Sequence, residues 1–315
     1  MDNYTVIHNS GVLTREEWIQ VRKKYIGGSD AGAILGVNPY RGAMDVWLDK
    51  NTDQTKDLES AAIRQGNDLE DYVAKRFSEA TGLKVRRDRS MMVSVENPFM
   101  LADIDRRIVG RNAILECKTT AAYNGSQWDD GKVPPSYYAQ VQHYIAVTGA
   151  ETAFIAVAIL GRDFKYYEIE PNDSYIRAMI EMEKDFYETS MERGLMPSPD
   201  GTKAASEAIK AFYKGGIPDT VDLSENEEAI DMAHDYLSFK AEKKMLEDAI
   251  RAKEQGLQML LKNNEKGIAG DFEITWPSYT RKNFDKKAFE EDYPVLAQKY
   301  TTDSEYRRFG VKEMK

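Results

Sequence analysis

The chain has 315 residues, 42% of them hydrophobic, and a formal net charge of −10 at pH 7. This length allows one large domain or a domain with an extension, and the negative charge argues against a protein that coats nucleic acid over its whole surface. The single cysteine, Cys117, excludes an internal disulfide and a four-cysteine zinc or iron–sulfur site within one chain. Because we find no signal peptide and the longest apolar run is residues 153–160, we expect a cytoplasmic protein without a membrane span.

Helices and strands alternate through the first two thirds of the sequence. Thr14 and Glu17 form a capping-box pattern that predicts a helix over residues 14–24, and a Gly-Gly turn leads from it into a short apolar helix. Later helices are predicted at 61–82, 135–149 and 172–193, and strands at 83–95, 102–120, 152–160 and 164–170. The order predicts an α/β or α+β core over residues 1–199. Residues 200–315 form a C-terminal extension, with one or two helices over about 224–265 and a small β segment.

The segment ADIDRRIVGRNAILECKTT, residues 102–120, predicts a β-hairpin that carries charges where a packed strand should be apolar. Residues two apart on a strand face the same way, so Glu116 and Lys118 share one face. A two-residue turn at 110–111 places Asp105 opposite Glu116, whereas a three-residue turn shifts the pairing by one. Opposed carboxylates destabilise a sheet. Two interpretations follow: a solvated network of the three charges, or a divalent cation such as Mg²⁺.

Three other stretches contain polar residues that such a site would use. Glu70 lies near the edge of the apolar stripe of a long helix, and Gln140 lies on one helix face with two tyrosines. Arg22 and Ser29 flank the Gly-Gly turn, where an anion can bind. Each stretch alone is more typical of an ordinary solvated or half-buried helix, or of a simple turn.

Taken in order, the segments IGGSDAGAILGVNPY, GNDLEDYV, ADIDRRIVGRNAILECKTT and PPSYYAQVQHYIAVTG resemble the YqaJ-like viral recombinase nucleases. These are relatives of phage lambda exonuclease in the PD-(D/E)XK nuclease superfamily, and the resemblance covers roughly residues 14–195. It implies a restriction-endonuclease-like core, in which a central mixed β-sheet is flanked by helices, with a helical C-terminal extension.

The resemblance also implies a role for each site residue. The metal ligands it implies are Asp105, Glu116, the backbone carbonyl of Cys117 and, directly or through water, Glu70. Lys118 would orient or activate the attacking water, and Gln140 would help to hold the lysine, the water or the scissile region.

Arg22 and Ser29 would grip a 5′-phosphate. Related exonucleases carry a small polar residue two positions before the hairpin aspartate, where this chain has Asp103. An anion cannot bind a phosphate in the same way, so Asp103 departs from the family pattern. The alternative role for Asp103 is contact with a second metal ion.

The activity implied is a Mg²⁺-dependent deoxyribonuclease with two metal ions, for which Mn²⁺ substitutes. It would digest one strand of linear double-stranded DNA from 5′ to 3′ and leave 3′ tails for phage-type homologous recombination. The implied partners are DNA ends, an annealing protein of the RecT or Redβ type, and further copies of the chain in a trimeric ring. The alternatives are a structure-specific endonuclease, a RecB-like or CRISPR-associated nuclease of the same superfamily, and a non-catalytic DNA-binding assembly protein.

Overall fold

A computed structural model describes residues 3–52, 61–303 and 306–314. The chain divides into two compact units, Met1–Tyr213 and Lys214–Lys315. The helices of the first unit are α1 Arg15–Lys23, α2 Gly28–Ile34, α3 Ala43–Asn51, α4 Ala61–Thr81, α5 Pro135–Thr148, α6 Asp173–Phe186 and α7 Lys203–Phe212. Its strands are β1 Tyr4–Asn9, β2 Ile26–Gly27, β3 Val85–Arg87, β4 Ser90–Ser94, β5 Met100–Asp103, β6 Arg106–Ile108, β7 Ala113–Ala121, β8 Thr152–Leu160 and β9 Asp163–Ile169.

These strands form two sheets. The larger has the order β3-β6-β7-β8-β9, in which β7 and β8 run parallel and the other neighbours run antiparallel. The predicted α/β class, with a mixed sheet flanked by helices, is confirmed. The smaller sheet, β1-β4-β5-β2, was not predicted, and neither was its first strand, β1.

The predicted hairpin is divided between the two sheets. Strand β5 pairs with β4 in the smaller sheet, and β6 pairs with β7 in the larger one, so the chain crosses between sheets at Ile104 and Asp105. The β6–β7 pairs are Arg106 with Leu115 and Arg107 with Ile114. This register is the one that a two-residue turn at 110–111 produces, and one further step along it brings Asp105 opposite Glu116.

Both faces of β7 are covered, which explains its apolar character. Ile114 belongs to a core with Val141 of α5, and Leu115 belongs to a second core with Phe77 of α4. Helix α5 begins with Pro135 and ends at Gly149, whose φ of 65° is the left-handed conformation common after a helix. Because side chains alternate along a strand, Glu116 lies on the face that meets α5.

Helix α7 packs on the first unit rather than with the extension. Ala205 and Ala208 are buried, and the rings of Phe212 and Trp47 meet edge to face with centroids 5.0 Å apart. The compact unit therefore continues to Tyr213, beyond the predicted boundary after residue 199. Proline and glycine in MPSPDG interrupt regular structure there, but the apolar face of the next helix still needs burial.

The second unit contains α8 Glu227–Leu261, β10 Lys266–Ala269, β11 Phe272–Thr275, α9 Lys286–Asp292 and α10 Pro294–Lys299. Of the two alternatives for residues 224–265, the structure has a single helix of 35 residues. Strands β10 and β11 pair as an antiparallel hairpin, in agreement with the predicted β segment. None of the described helices has the length and apolar character needed to cross a membrane.

A buried pair of His143 and Glu183 joins α5 to α6. His143 Nδ1 lies 2.9 Å from Glu183 Oε1, and His143 Nε2 donates to the carbonyl of Leu101 at 3.1 Å. Neither side chain of the pair is exposed. Burial raises the pKa of Glu183. Burial alone would lower the pKa of His143, but the charge of Glu183 and the hydrogen bonds of the imidazole raise it by more, so the net shift is upward.

The substitution Glu183→Ala is expected to lower the free energy of unfolding by about 3–5 kcal/mol, because it leaves a buried imidazole without its charged partner. Urea unfolding followed by circular dichroism measures this. The control is Glu181→Ala on the exposed face of α6, which should change the value by less than about 0.5 kcal/mol. Equal losses in both variants would contradict a structural role for the pair.

Candidate active site

A cavity of about 850 Å³ opens where the chain crosses between the two sheets. Six predicted site residues line it: Arg22, Ser29, Glu70, Asp105, Glu116 and Gln140. Lys118 is not one of its lining residues, but its Nζ contacts two that are. The fold thus brings into one cavity residues that are up to 118 residues apart in the sequence, as Arg22 and Gln140 are.

Two carboxylates form the acidic end of this cavity. Burial raises the pKa of Asp105 well above its ordinary value, and the charges of Glu116 and Glu70 raise it further. Burial also raises the pKa of Glu116, which is 5% exposed, although Lys118 opposes the shift. A fold that withdraws two adjacent carboxylates from water disfavours their charged forms, and a bound cation would offset that penalty.

One oxygen of Glu116 has no partner. Its Oε1 accepts hydrogen bonds from Lys118 Nζ and from Gln140 Nε2, both at 2.7 Å. Its Oε2 is buried and makes no hydrogen bond to any of the described residues. A buried, unsatisfied carboxylate oxygen is costly. Carboxylate oxygens are also the protein ligands that Mg²⁺ prefers, so Glu116 and the neighbouring Asp105 fit a divalent cation.

Of the other two predicted ligands, Glu70 is already engaged. It forms an ion pair with Arg106 and lies 3.4 Å from the Nη2 of Arg87. The backbone N–H of Cys117 donates to Asp105 Oδ2 at 2.7 Å, which ties the crossing segment to β7. No three His, Cys, Asp or Glu side chains converge as a metal site within residues 3–52, 61–303 and 306–314. Of the two roles left open for Glu70, this pairing favours contact through water.

Three groups hold the ammonium of Lys118. It donates to Glu116 Oε1 and, at 2.9 Å, to Gln140 Oε1, and it lies 4.8 Å from the centre of the Tyr137 ring. The Tyr137 ring in turn stacks on Trp128 with centroids 5.5 Å apart. Burial lowers the pKa of Lys118, but the charges of Glu116, Tyr137 and Asp105 together raise it by more, so the net shift is upward and the amine stays protonated. The sequence analysis missed Trp128, which no local spacing links to Lys118.

At the basic end, Arg22 and Ser29 are in direct contact. Arg22 Nη2 donates to Ser29 Oγ at 2.6 Å, and the guanidinium lies 4.5 Å from the centre of the Trp18 ring. The Trp18 indole N–H donates to Asp103 Oδ2 at 2.8 Å. Asp103, unexplained by the family pattern, therefore holds the tryptophan against which Arg22 stacks. The i,i+4 spacing of Trp18 and Arg22 on α1 was the available sequence signal.

A buried ion-pair network supports the turn before Ser29, and the sequence analysis missed it. Asp30 accepts from the backbone N–H of Gly27 at 3.0 Å and pairs with Lys50 and Arg41, each at 2.7 Å. Burial opposes ionisation, but these two cations outweigh it and hold the pKa of Asp30 far below its ordinary value. Lys50 also donates to the carbonyl of Arg22 at 2.9 Å, so the network fixes both sides of the pocket.

The fold and the site define a mixed α/β protein with a carboxylate–lysine centre at the crossing between two sheets. A family model described as the YqaJ-like viral recombinase domain matches residues 17–151. The uncharacterized protein YqaJ of Bacillus subtilis (strain 168) is 36% identical over 319 residues, which cover 98% of each chain. The chain belongs to the YqaJ-like viral recombinase family, and the resemblance drawn from its motifs is confirmed.

Two solved structures of one protein are similar to part of the chain. The alkaline exonuclease LHK-Exo of Laribacter hongkongensis aligns with a TM-score of 0.48 and 18% identity, over 56% of this chain and 95% of that one. Its complex with dAMP aligns with a TM-score of 0.46 and 18% identity, over 57% and 98%. The exonuclease activity that these names state is that of LHK-Exo.

The substitution Asp105→Asn is expected to raise the melting temperature of the metal-free protein, because it removes one of two repelling, poorly hydrated charges. It should also abolish the rise in melting temperature that MgCl₂ produces in the wild type, about 2–4 °C for each kcal/mol of binding free energy. Differential scanning fluorimetry with and without EDTA measures both effects. The exposed Asp68→Asn on α4 is the control and should behave like the wild type. A full Mg²⁺ response in Asp105→Asn would exclude Asp105 as a ligand.

Proposed function

We propose that this protein is a metal-dependent deoxyribonuclease that digests one strand of linear duplex DNA from 5′ to 3′ and leaves 3′ tails for phage-type homologous recombination. Membership of the YqaJ-like family and the chemistry of the site support a role as a nuclease. The observation that carries the proposal is Glu116, which holds Lys118 with one carboxylate oxygen and leaves the other buried and unpartnered. That arrangement suits a cation and a fixed positive charge side by side, as phosphodiester hydrolysis requires.

Asp105 and Glu116 would hold the divalent cation, with the carbonyl of Cys117 as a further ligand and Glu70 acting through water. Two Mg²⁺ ions, or Mn²⁺ in their place, supply an activated water and charge stabilisation for the leaving oxygen when bound. The protein itself contributes the low-dielectric surroundings that make these charges effective.

Lys118 would place its ammonium beside the attacked phosphate and stabilise the charge that develops there. Gln140 would keep it in position, since its amide oxygen accepts from Lys118 and its amide nitrogen donates to Glu116. A lysine held by three neighbours loses little further side-chain entropy when substrate arrives, which favours a pre-organised site.

The basic end of the cavity would bind the 5′-terminal phosphate. The Arg22 guanidinium and the Ser29 hydroxyl lie together, and both line the same cavity as Asp105 and Glu116. A terminal phosphate bound there would bring the first linkage of that strand towards the acidic end. Attack from a 5′ end follows from this placement, because a continuous strand has no terminal phosphate to place.

The assembly and the partner in the proposal come from the family resemblance. The protein would act as a homo-oligomer, as a trimeric ring, beside a single-strand annealing protein of the RecT or Redβ type. The first unit, Met1–Tyr213, would carry the nuclease core, and the second unit, Lys214–Lys315, would be the extension. We place its action in the cytoplasm of a bacterial host or of a cell that carries the prophage.

A single assay tests the activity. Linear duplex DNA labelled at either end, with a 5′-phosphate or a 5′-hydroxyl, is incubated with the protein in Mg²⁺ or in EDTA. The expected result is Mg²⁺-dependent release of nucleotides from 5′ ends. Release in EDTA would contradict the metal mechanism, and cleavage of closed circular DNA would indicate an endonuclease instead.

Lys118→Ala is expected to lower the cleavage rate by at least about 10²-fold, the usual effect of removing one charge-stabilising group, while DNA binding is retained. Cleavage is measured on the linear duplex and binding by fluorescence anisotropy in Ca²⁺. The control is Lys132→Ala, whose side chain is 71% exposed and which should cleave at the wild-type rate. Near-wild-type cleavage by Lys118→Ala would rule out its assigned role.

Arg22→Ala is expected to reduce cleavage of 5′-phosphorylated ends by about 10- to 100-fold, because hydrogen bonds to charged groups contribute about 1.5–3 kcal/mol. Cleavage of 5′-hydroxyl ends should change much less. Initial rates on the two duplexes are compared with those of the exposed control Arg177→Ala, which should match the wild type on both. Equal losses on both ends would instead identify Arg22 as a general phosphate contact.

A further inference from the structure

Helix α8 of the second unit carries an apolar stripe that the nuclease proposal does not use. Ten of its positions recur in alternating steps of three and four, and eight of the ten are apolar. They are Ala229, Met232, Tyr236, Phe239, Lys243, Leu246, Ile250, Lys253, Leu257 and Leu260. A stripe of this spacing over more than four heptads is the pattern of a coiled coil.

The stripe is largely uncovered. Phe239, Leu246 and Ile250 are 64%, 65% and 57% exposed, and Leu260 is 80% exposed. At the N-terminal end, Tyr236 meets Phe309 of the same unit with ring centroids 5.5 Å apart. Apolar side chains that repeat along one face and stay exposed over so long a helix mark a surface that binds another helix.

We propose that α8 pairs with α8 of a second copy of this chain as an antiparallel, two-helix coiled coil. Helix α8 spans Glu227–Leu261, and its ten stripe positions are placed symmetrically about its midpoint. Two antiparallel copies that overlap along their whole length therefore bring every stripe residue opposite another. Phe239 then faces Ile250 of the second copy, and Met232 faces its Leu257.

The two stripe lysines select the antiparallel orientation. In a parallel pair, Lys243 would face Lys243 and Lys253 would face Lys253, which places like charges in the interface. In the antiparallel pair, Lys243 faces Leu246, and Lys253 faces the ring of Tyr236, which is a favourable partner for an ammonium. Each lysine can also extend its charged end to water past an apolar neighbour.

The residues that flank the stripe agree with this orientation. In the antiparallel pair, Lys240 lies beside Glu247 of the second copy, and the symmetry of the pair makes this contact twice. In a parallel pair, Glu242 of one helix would instead approach Glu247 of the other and repel it. The charges of α8 are therefore complementary to those of a second α8 in the antiparallel register.

The first measurement is the mass of the full-length protein by sedimentation equilibrium. The double variant Phe239→Glu with Ile250→Glu places charges in the stripe and should have half the wild-type mass. The matched control is Met245→Glu with Met259→Glu, since these side chains are 72% and 79% exposed on α8 but lie outside the stripe. The control should keep the wild-type mass, and circular dichroism verifies that all three proteins remain equally helical.

A second measurement tests orientation. Glu247→Lys should weaken the antiparallel pair by about threefold or more, because Lys240 then faces a lysine, whereas it would strengthen a parallel pair. Adding Lys240→Glu to Glu247→Lys restores opposite charges and should restore association. Equal masses for the wild type and the Phe239→Glu, Ile250→Glu variant would overturn the proposal, and so would tighter association of Glu247→Lys. None of these outcomes depends on nuclease activity.

Discussion

The structure of the site depends on one constraint, the placement of Asp105 beside Glu116 at the crossing between two sheets. The β6–β7 register brings the two residues opposite each other, and the Cys117 N–H holds the Asp105 carboxylate there. Burial then raises the pKa of both groups. Lys118, held between Glu116 and Gln140, compensates one side of Glu116 only. Among the described residues, the Oε2 atom of Glu116 and the carboxylate of Asp105 have no positive group that compensates them in this way, which is the chemical reason to propose a cation at this point.

The cavity separates its charges by position. Asp105 and Glu116 lie at the crossing between the sheets, whereas Arg22 lies in the last turn of α1. Neighbouring side chains hold both ends in place. Trp18 and Asp103, which also line the cavity, hold Arg22, and Tyr137 and Trp128 hold Lys118. A net charge of −10 is therefore compatible with a site for a polyanion, because local placement of charge and not the total decides what the cavity binds.

Much of the first unit followed from short-range patterns. The capping box at Thr14 and the glycine that ends α5 were readable locally, and the structure has them. The sequence left two registers open for the hairpin, and the structure has the one that a two-residue turn produces. Strand β1 was missed because it is a short strand at the edge of its sheet, and its six residues do not show a clear alternation of apolar and polar side chains. Helix α7 was assigned to the extension because a Pro- and Gly-containing segment precedes it, although its buried face packs on α3.

By itself, the sequence determined the order of most helices and strands and which residues of β7 share a face, since these depend on periods of two and 3.6 residues. Its ordered motifs, and not its periodicity, carried the resemblance to the family. Only the tertiary structure decided which charges meet. Arg106 with Glu70 and Trp18 with Asp103 are separated by 36 and 85 residues, and no local spacing links them. It also showed that Glu70 is occupied by arginines and that Asp103 supports a tryptophan. The reason is physical: local periodicity sets where a side chain points, whereas the packing of distant segments sets what it meets.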